Sequence, residues 1–165
     1  LKQLFYLLLL VVIFTSCNSS KAVSNSTSNK NRDKSSLLVE QIINSASENI
    51  GVRYKMAGTT RSGYDCSGLV YSTFNMYDIQ LPRTSFEQSK IGTELGKNIE
   101  KAKKGDLIFF KTNNRSKINH VGIVVEVAND EILFVHSSTS KGVIVSSTKE
   151  PYYQKAFVQL NRIIQ

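Results

Sequence analysis

Apolar residues return every three or four positions through SSLLVEQIINSASENIG, where Leu38, Ile42, Ala46 and Ile50 fall on one helical face. The spacing predicts a helix that Ser35 or Ser36 can cap and Gly51 can end. A second helix is predicted over CSGLVYSTFNMYD, residues 66–78, with Leu69, Val70, Phe74 and Tyr77 together. LPRTSFEQSKIG predicts a third, shorter helix, in which Thr84 and Glu87 have capping-box spacing. From residue 106 the period changes. DLIFF (106–110), HVGIVVEV (120–127), EILFVH (131–136), GVIVSS (142–147) and AFVQLNRI (156–163) are short, β-branched and aromatic, and read as strands. ANDE (128–131) suits a tight turn between the second and third of these. Helices followed by an antiparallel meander predict an α+β fold.

The chain before residue 36 follows neither pattern. One lysine precedes an apolar run from Leu4 to Phe14, far short of the roughly 20 residues that span a bilayer. Thr15, Ser16 and Cys17 follow. This is the anatomy of a signal peptide over residues 1–16. The small pair before cysteine resembles the lipobox of bacterial lipoproteins, with Phe14 in place of the usual aliphatic residue. That resemblance implies cleavage before Cys17 and lipidation of its thiol. Residues 17–35 are rich in Ser and Asn and nearly devoid of apolar side chains, which predicts a flexible tether. Residues 36–165 are expected to form the folded domain.

Composition changes this picture little. The 165 residues suit one domain, and 41% are hydrophobic, enough for a core. The formal net charge of +8 is spread along the chain. No basic cluster carries interleaved aromatics, so nucleic acid is not an expected partner. A basic exported domain suits an anionic polymer or surface. There are two cysteines. With Cys17 lipidated, Cys66 has no partner in its own chain, so its thiol is either buried or used.

Candidate chemistry centres on that thiol. The only histidines are His120, which opens one predicted strand, and His136, which closes the next. If 128–131 turns a hairpin, antiparallel pairing brings both to one sheet edge. Cys66 begins a predicted helix, whose N–H groups and dipole favour a thiolate. A helix tip packed against that edge would align thiolate, imidazole and orienting group, as nucleophilic catalysis requires. A lone cysteine is more often a small buried hydrophobe. Zinc ligation is a further alternative, but there is no C-x-x-C or H-x-x-x-H, and only three candidate ligands are present.

YDCSGLV, NHVGIVV and FVHSSTSKGVIVSS resemble the three signature segments of the NlpC-type, papain-like cell-wall peptidases. GTTRSGYDCSG, LPRTSFEQ, GDLIFF and EPYY are similar to stretches of one subgroup, the small lipoprotein murein endopeptidases. The resemblance runs from about Gly51 to the C-terminus. It implies a papain-like fold with N-terminal helices on a central antiparallel sheet. It implies Cys66 as nucleophile, His120 as base and His136 as the third, orienting residue. Tyr54 falls on a tyrosine beside the nucleophile that binds oxyanion or substrate. Asp65 and Ser67 fall on positions lining the substrate pocket. After Tyr54 the family shows an aromatic and two glycines, where this chain has Lys55-Met56-Ala57-Gly58.

The implied substrate is the peptidoglycan stem peptide, cut at the D-alanyl–meso-diaminopimelate cross-link. The alternatives are the D-glutamyl–diaminopimelate bond, another acyl-transfer reaction, or an inactive wall-binding lipoprotein. No metal or other cofactor is implied. The expected state is a monomer, lipid-anchored in the cell envelope at the inner leaflet of the outer membrane and facing the periplasm.

Overall fold

A computed structural model of the chain describes residues 22–113 and 117–165. The expected signal peptide and Cys17 lie outside the described residues. The chain divides into two units, residues 1–34 and 35–165, and the second contains all the elements after the first helix.

Helix α1 runs Ala22–Ser47. The tether expected through residue 35 is therefore helical from Ala22 onward. Composition predicted flexibility there because nothing apolar repeats, and Lys30 to Lys34 are indeed exposed. Adding a residue to an existing helix costs far less than starting one, so helical backbone can run past the stretch that packs. At the other end Ile42, Ile43 and Ala46 are buried, and Gly51 follows with φ +90°.

A two-residue hairpin, β1 (Thr59–Thr60) and β2 (Gly63–Tyr64), leads into α2, Cys66–Asn75. This helix ends three residues earlier than its spacing predicts, and Asp78 has φ 58°. Tyr77 leaves the helical face and bonds instead to α1, pairing with Ser45 Oγ at 2.6 Å and donating to the Gln41 carbonyl at 3.0 Å. Helix α3, Ser85–Gln88, is capped by Thr84, whose hydroxyl accepts from the Glu87 N–H at 3.3 Å. Only this half of the expected capping box is made, because the Glu87 carboxylate pairs with Lys90 at 2.8 Å.

The remaining strands are β3 (Thr93–Gly96), β4 (Leu107–Phe110), β5 (His120–Ala128), β6 (Glu131–Ser138), β7 (Gly142–Ser147) and β8 (Phe157–Arg162). They form one antiparallel sheet in the order β3-β8-β4-β5-β6-β7. The α+β fold with helices on a central antiparallel sheet is as predicted. Two elements had no clear signal. Strand β3 is an exposed edge without alternation, and helix α4 (Pro151–Ala156) is a single short stretch before β8.

The sheet is covered on both faces, which explains why β4 is apolar at every position. Leu107 and Phe109 pack with α1 and α2, while Ile108 and Phe110 pack with Tyr153, Ala156 and Phe157. Each face thus has its own core.

The β5–β6 hairpin turns at Asn129 and Asp130, with φ 44° and 62°. Two positive φ values make a turn whose twist matches the strands it joins. Beyond the turn Ala128 faces Glu131, but nearer the other end Val124 faces Phe134, with an irregularity between Val124 and Glu126. This bulge shifts the pairing by one residue. Without it His136 would sit across from Ile123, on the α2 face. With it, continuing the register from Ile123↔Val135 places His136 across from Gly122. Directly opposed residues share a face, so His136 joins His120 on the α4 face. A Cβ on Gly122 would lie 2.8 Å from the Phe134 ring and 3.2 Å from the His136 Cβ. The bare glycine therefore leaves the diagonal between the two imidazoles open.

Candidate active site

The N-terminus of α2, the start of β5 and the middle of β6 supply the site. Asp65 caps α2 from extended backbone, accepting the Gly68 N–H at 2.6 Å. The same carboxylate takes a forked contact from Arg83, Nη1 to Oδ1 at 3.0 Å and Nη2 to Oδ2 at 2.6 Å. Ser67 Oγ donates to Asp65 at 3.2 Å and accepts from Arg83 Nη1 at 3.0 Å. Paired, planar contacts of this kind fix orientation as well as charge. They hold the first turn of α2, and hence Cys66, in place. A side chain at position 68 would overlap the Gly58 carbonyl oxygen, so glycine is required where the helix start crosses that loop.

The part-exposed thiol of Cys66 is directed at the Asn119 carbonyl oxygen, 3.9 Å away. The backbone N–H groups of Val121, Ser67 and Cys66 face the sulfur. The sulfur thus lies against the backbone on both sides of His120. Asn119 is itself clamped: its Oδ1 accepts the Thr112 N–H at 2.8 Å and its Nδ2 donates to Thr112 Oγ1 at 3.0 Å.

The helix tip was expected to favour the thiolate. Its N–H groups do act in that direction, but burial and the adjacent Asp65 charge outweigh them and push the Cys66 thiol up to about 11. The site at rest holds a neutral thiol.

His120 Nε2 lies 2.9 Å from His136 Nδ1, with the rings at 83° to each other. His120 is 8% exposed and His136 fully buried. Phe110, Phe134 and Tyr153 surround them. Burial lowers His120 to about 4; burial, and then the neighbouring His120, lower His136 to about 3. Both rings are neutral at pH 7. With Nε2 taken by His136, Nδ1 is the other ring nitrogen of His120.

Tyr54 is half-buried and bridges to Tyr64 in the first loop. Its pKa is raised, first by burial and then by Cys66 and Asp65, so its hydroxyl stays a donor within electrostatic reach of the sulfur. A cavity of about 290 Å³ opens beside His120, walled by Thr112, Ser138, Lys141, Tyr152 and Tyr153 among others.

The structure therefore gathers all six sequence-selected residues, but Asp65 and Ser67 spend their polar atoms on the helix cap and Arg83. Sequence reasoning assigned no role to three residues. Arg83 sits 17 positions beyond Cys66 in a segment noted only for its resemblance. Asn119 was hidden by its place just ahead of the strand. Tyr153, whose hydroxyl is 3.3 Å from His136 Nε2, lies in EPYY, a segment likewise noted only for its resemblance.

These electrostatics have two measurable consequences. In the unfolded chain both histidines take up protons below about pH 6.5, while the folded ones resist until about 4 and 3. Stability is therefore full above pH 6.5 and falls as pH drops from there toward 4, by roughly 3 kcal/mol per imidazole. Urea unfolding between pH 7 and 4 checks this, and a flat profile would contradict it. The rate of Cys66 alkylation by iodoacetamide should climb steadily from about pH 7 to about pH 10, as the thiolate fraction grows. A plateau across neutral pH would instead reveal a preformed thiolate.

The NlpC/P60 family model matches residues 51–162. The chain is 40% identical over 117 residues to the murein DD-endopeptidase MepS/murein LD-carboxypeptidase of Escherichia coli K12, covering 69% of this chain and 57% of that protein. It is 45% identical over 114 residues to the probable endopeptidase NlpC of the same strain, covering 68% of this chain and 70% of that one. The chain thus spans little more than half the length of the first of these relatives. The crystal structure of an NlpC/P60 family protein from Bacillus cereus aligns at a TM-score of 0.68 and 28% identity, over 77% of this chain and 40% of that one. Fold, motif order and extent of match agree: the chain belongs to the NlpC/P60 family.

Proposed function

We propose that the protein is a cell-wall cysteine endopeptidase that hydrolyses peptidoglycan stem peptides at the D-alanyl–meso-diaminopimelate cross-link, using Cys66, His120 and His136. The observation that carries this reading is the 2.9 Å contact between the two imidazoles at the strand end against which the thiol lies. Relatives named murein DD-endopeptidases support the substrate class.

A neutral thiol beside a neutral imidazole defines the order of events. As Sγ attacks the scissile carbonyl carbon, its proton passes to His120 Nδ1. The carbonyl oxygen gains negative charge, which in this reading the Cys66 N–H and the Tyr54 hydroxyl stabilise. His120, now positive, keeps its Nε2–H on His136 Nδ1. A neutral orienting imidazole stabilises that cation less than a carboxylate does, but it is far cheaper to bury. The imidazolium then gives its proton to the leaving amine as the C–N bond breaks. Water, deprotonated by His120, cleaves the thioester and restores the thiol. The leaving half of the substrate lies on the proton-donor's side, where the cavity beside His120 offers hydroxyls and aromatic walls.

The apolar run Leu4–Phe14 followed by Thr15-Ser16-Cys17 supports lipid attachment at Cys17; in this reading the protein is a monomer at the inner leaflet of the outer membrane. An anchored enzyme suits a polymer that cannot diffuse to it. Two acyl signals suffice for stable anchoring.

A defined cross-linked muropeptide dimer should yield two monomers by mass, and Cys66→Ala should slow their release at least about a thousandfold. Release at an undiminished rate would remove Cys66 from the mechanism. Cys17→Ser should move the protein from the membrane fraction to the soluble fraction on cell breakage. Retention in the membrane would refute lipid anchoring through that thiol.

A further inference from the structure

His136 is bonded at both ring nitrogens. Nδ1 meets His120 Nε2 at 2.9 Å, and Nε2 meets the Tyr153 hydroxyl at 3.3 Å. Tyr153 is itself buried, 8% exposed, on the face of the sheet that carries both imidazoles. Its ring meets that of His136 edge-on at 5.3 Å. Ser146, 5% exposed, neighbours the same hydroxyl and acts to lower its pKa, as a donor to the phenol oxygen does.

A neutral imidazole carries one proton, so these contacts can be oriented in only two ways. In the first, Tyr153 donates to His136 Nε2, His136 Nδ1–H donates to His120 Nε2, and the one proton of His120 falls on Nδ1. That ring then presents N–H to the thiol and cannot accept its proton. In the second, His120 Nε2–H donates to His136 Nδ1, His136 Nε2–H donates to the Tyr153 oxygen, and Tyr153 O–H turns away from the ring. Only then does His120 offer a lone pair at Nδ1.

We infer that Tyr153 is a positioning residue that holds His136 in its Nε2–H tautomer by accepting a hydrogen bond, and so keeps His120 in the one tautomer able to deprotonate Cys66. This rests on the reading of His120 as base. Without the hydroxyl, His136 Nε2–H would be a buried donor with no acceptor, and the productive chain would lose its advantage over the unproductive one.

Nitrogen-15 NMR of the wild-type protein at pH 7 reads the tautomers without any substrate. Both histidines should be in the Nε2–H form, and His136 in the Nδ1–H form would overturn the inference. Tyr153→Phe should lower kcat on the muropeptide dimer about tenfold, the worth of one buried hydrogen bond, with KM little changed. In a His136→Asn background, whose amide has no tautomer to choose, the same substitution should cost less than about twofold. An equal loss in both backgrounds would make Tyr153 a packing residue only, and the inference would fall. If the wild type cuts no muropeptide, the proposed substrate fails, while the tautomer measurement still decides the role of Tyr153.

Discussion

The contact between His120 and His136 depends on a one-residue shift in the β5–β6 ladder, and the site depends on that contact. Pairing begins at the Asn129–Asp130 turn in a register that would send His136 to the opposite face from His120. The irregularity at Val125 reverses this. Because side chains alternate along a strand, a one-residue shift is the smallest change that moves an entire set of side chains across the sheet. Gly122 completes the arrangement by placing no side chain between the rings.

Once the rings share a face, burial decides their chemistry. Both imidazoles lie among Phe110, Phe134 and Tyr153, where a charge is poorly solvated. The same penalty acts on the sulfur. Two N–H groups at the helix tip and that of Val121 on β5 favour the thiolate, but desolvation is the larger effect, and the Asp65 charge adds to it. The resting site is uncharged at the reacting atoms. Helix dipoles act at the level of tenths of a kcal/mol to about 1 kcal/mol, which a buried site readily exceeds.

Polar contacts brace each half of the domain from within. Asp65 ties the α2 start to Arg83 and through it to the Gly58 carbonyl. Asp106, 2% exposed, receives Arg162 Nε at 2.9 Å and Nη2 at 2.8 Å, joining β8 to the loop before β4. Each is a forked guanidinium–carboxylate pair, and each fixes the angle between chain segments that hydrophobic contact alone would leave loose.

Much of this was legible along the chain. The change from a helical period to short apolar runs at residue 106 declared the α+β class, because side-chain periodicity is a local property of each element. The Asn-Asp turn, the cap at Thr84 and the thiol at a helix start were local too, and so were the motif segments around Cys66, His120 and His136. Helix length toward Ala22 was not, since composition reports what can be buried and not how far a helix propagates once started. Nor was the bulge at Val125, which no single strand encodes and only the fit of two cores on opposite faces of the sheet selects. Arg83, Asn119 and Tyr153 join the site from segments 17 to 87 positions away from Cys66, on edges that form only when the sheet and its helices have packed. Sequence by itself determined which groups could react. Tertiary structure decided their protonation, because desolvation is set by everything that surrounds a group and by nothing in its own neighbourhood along the chain.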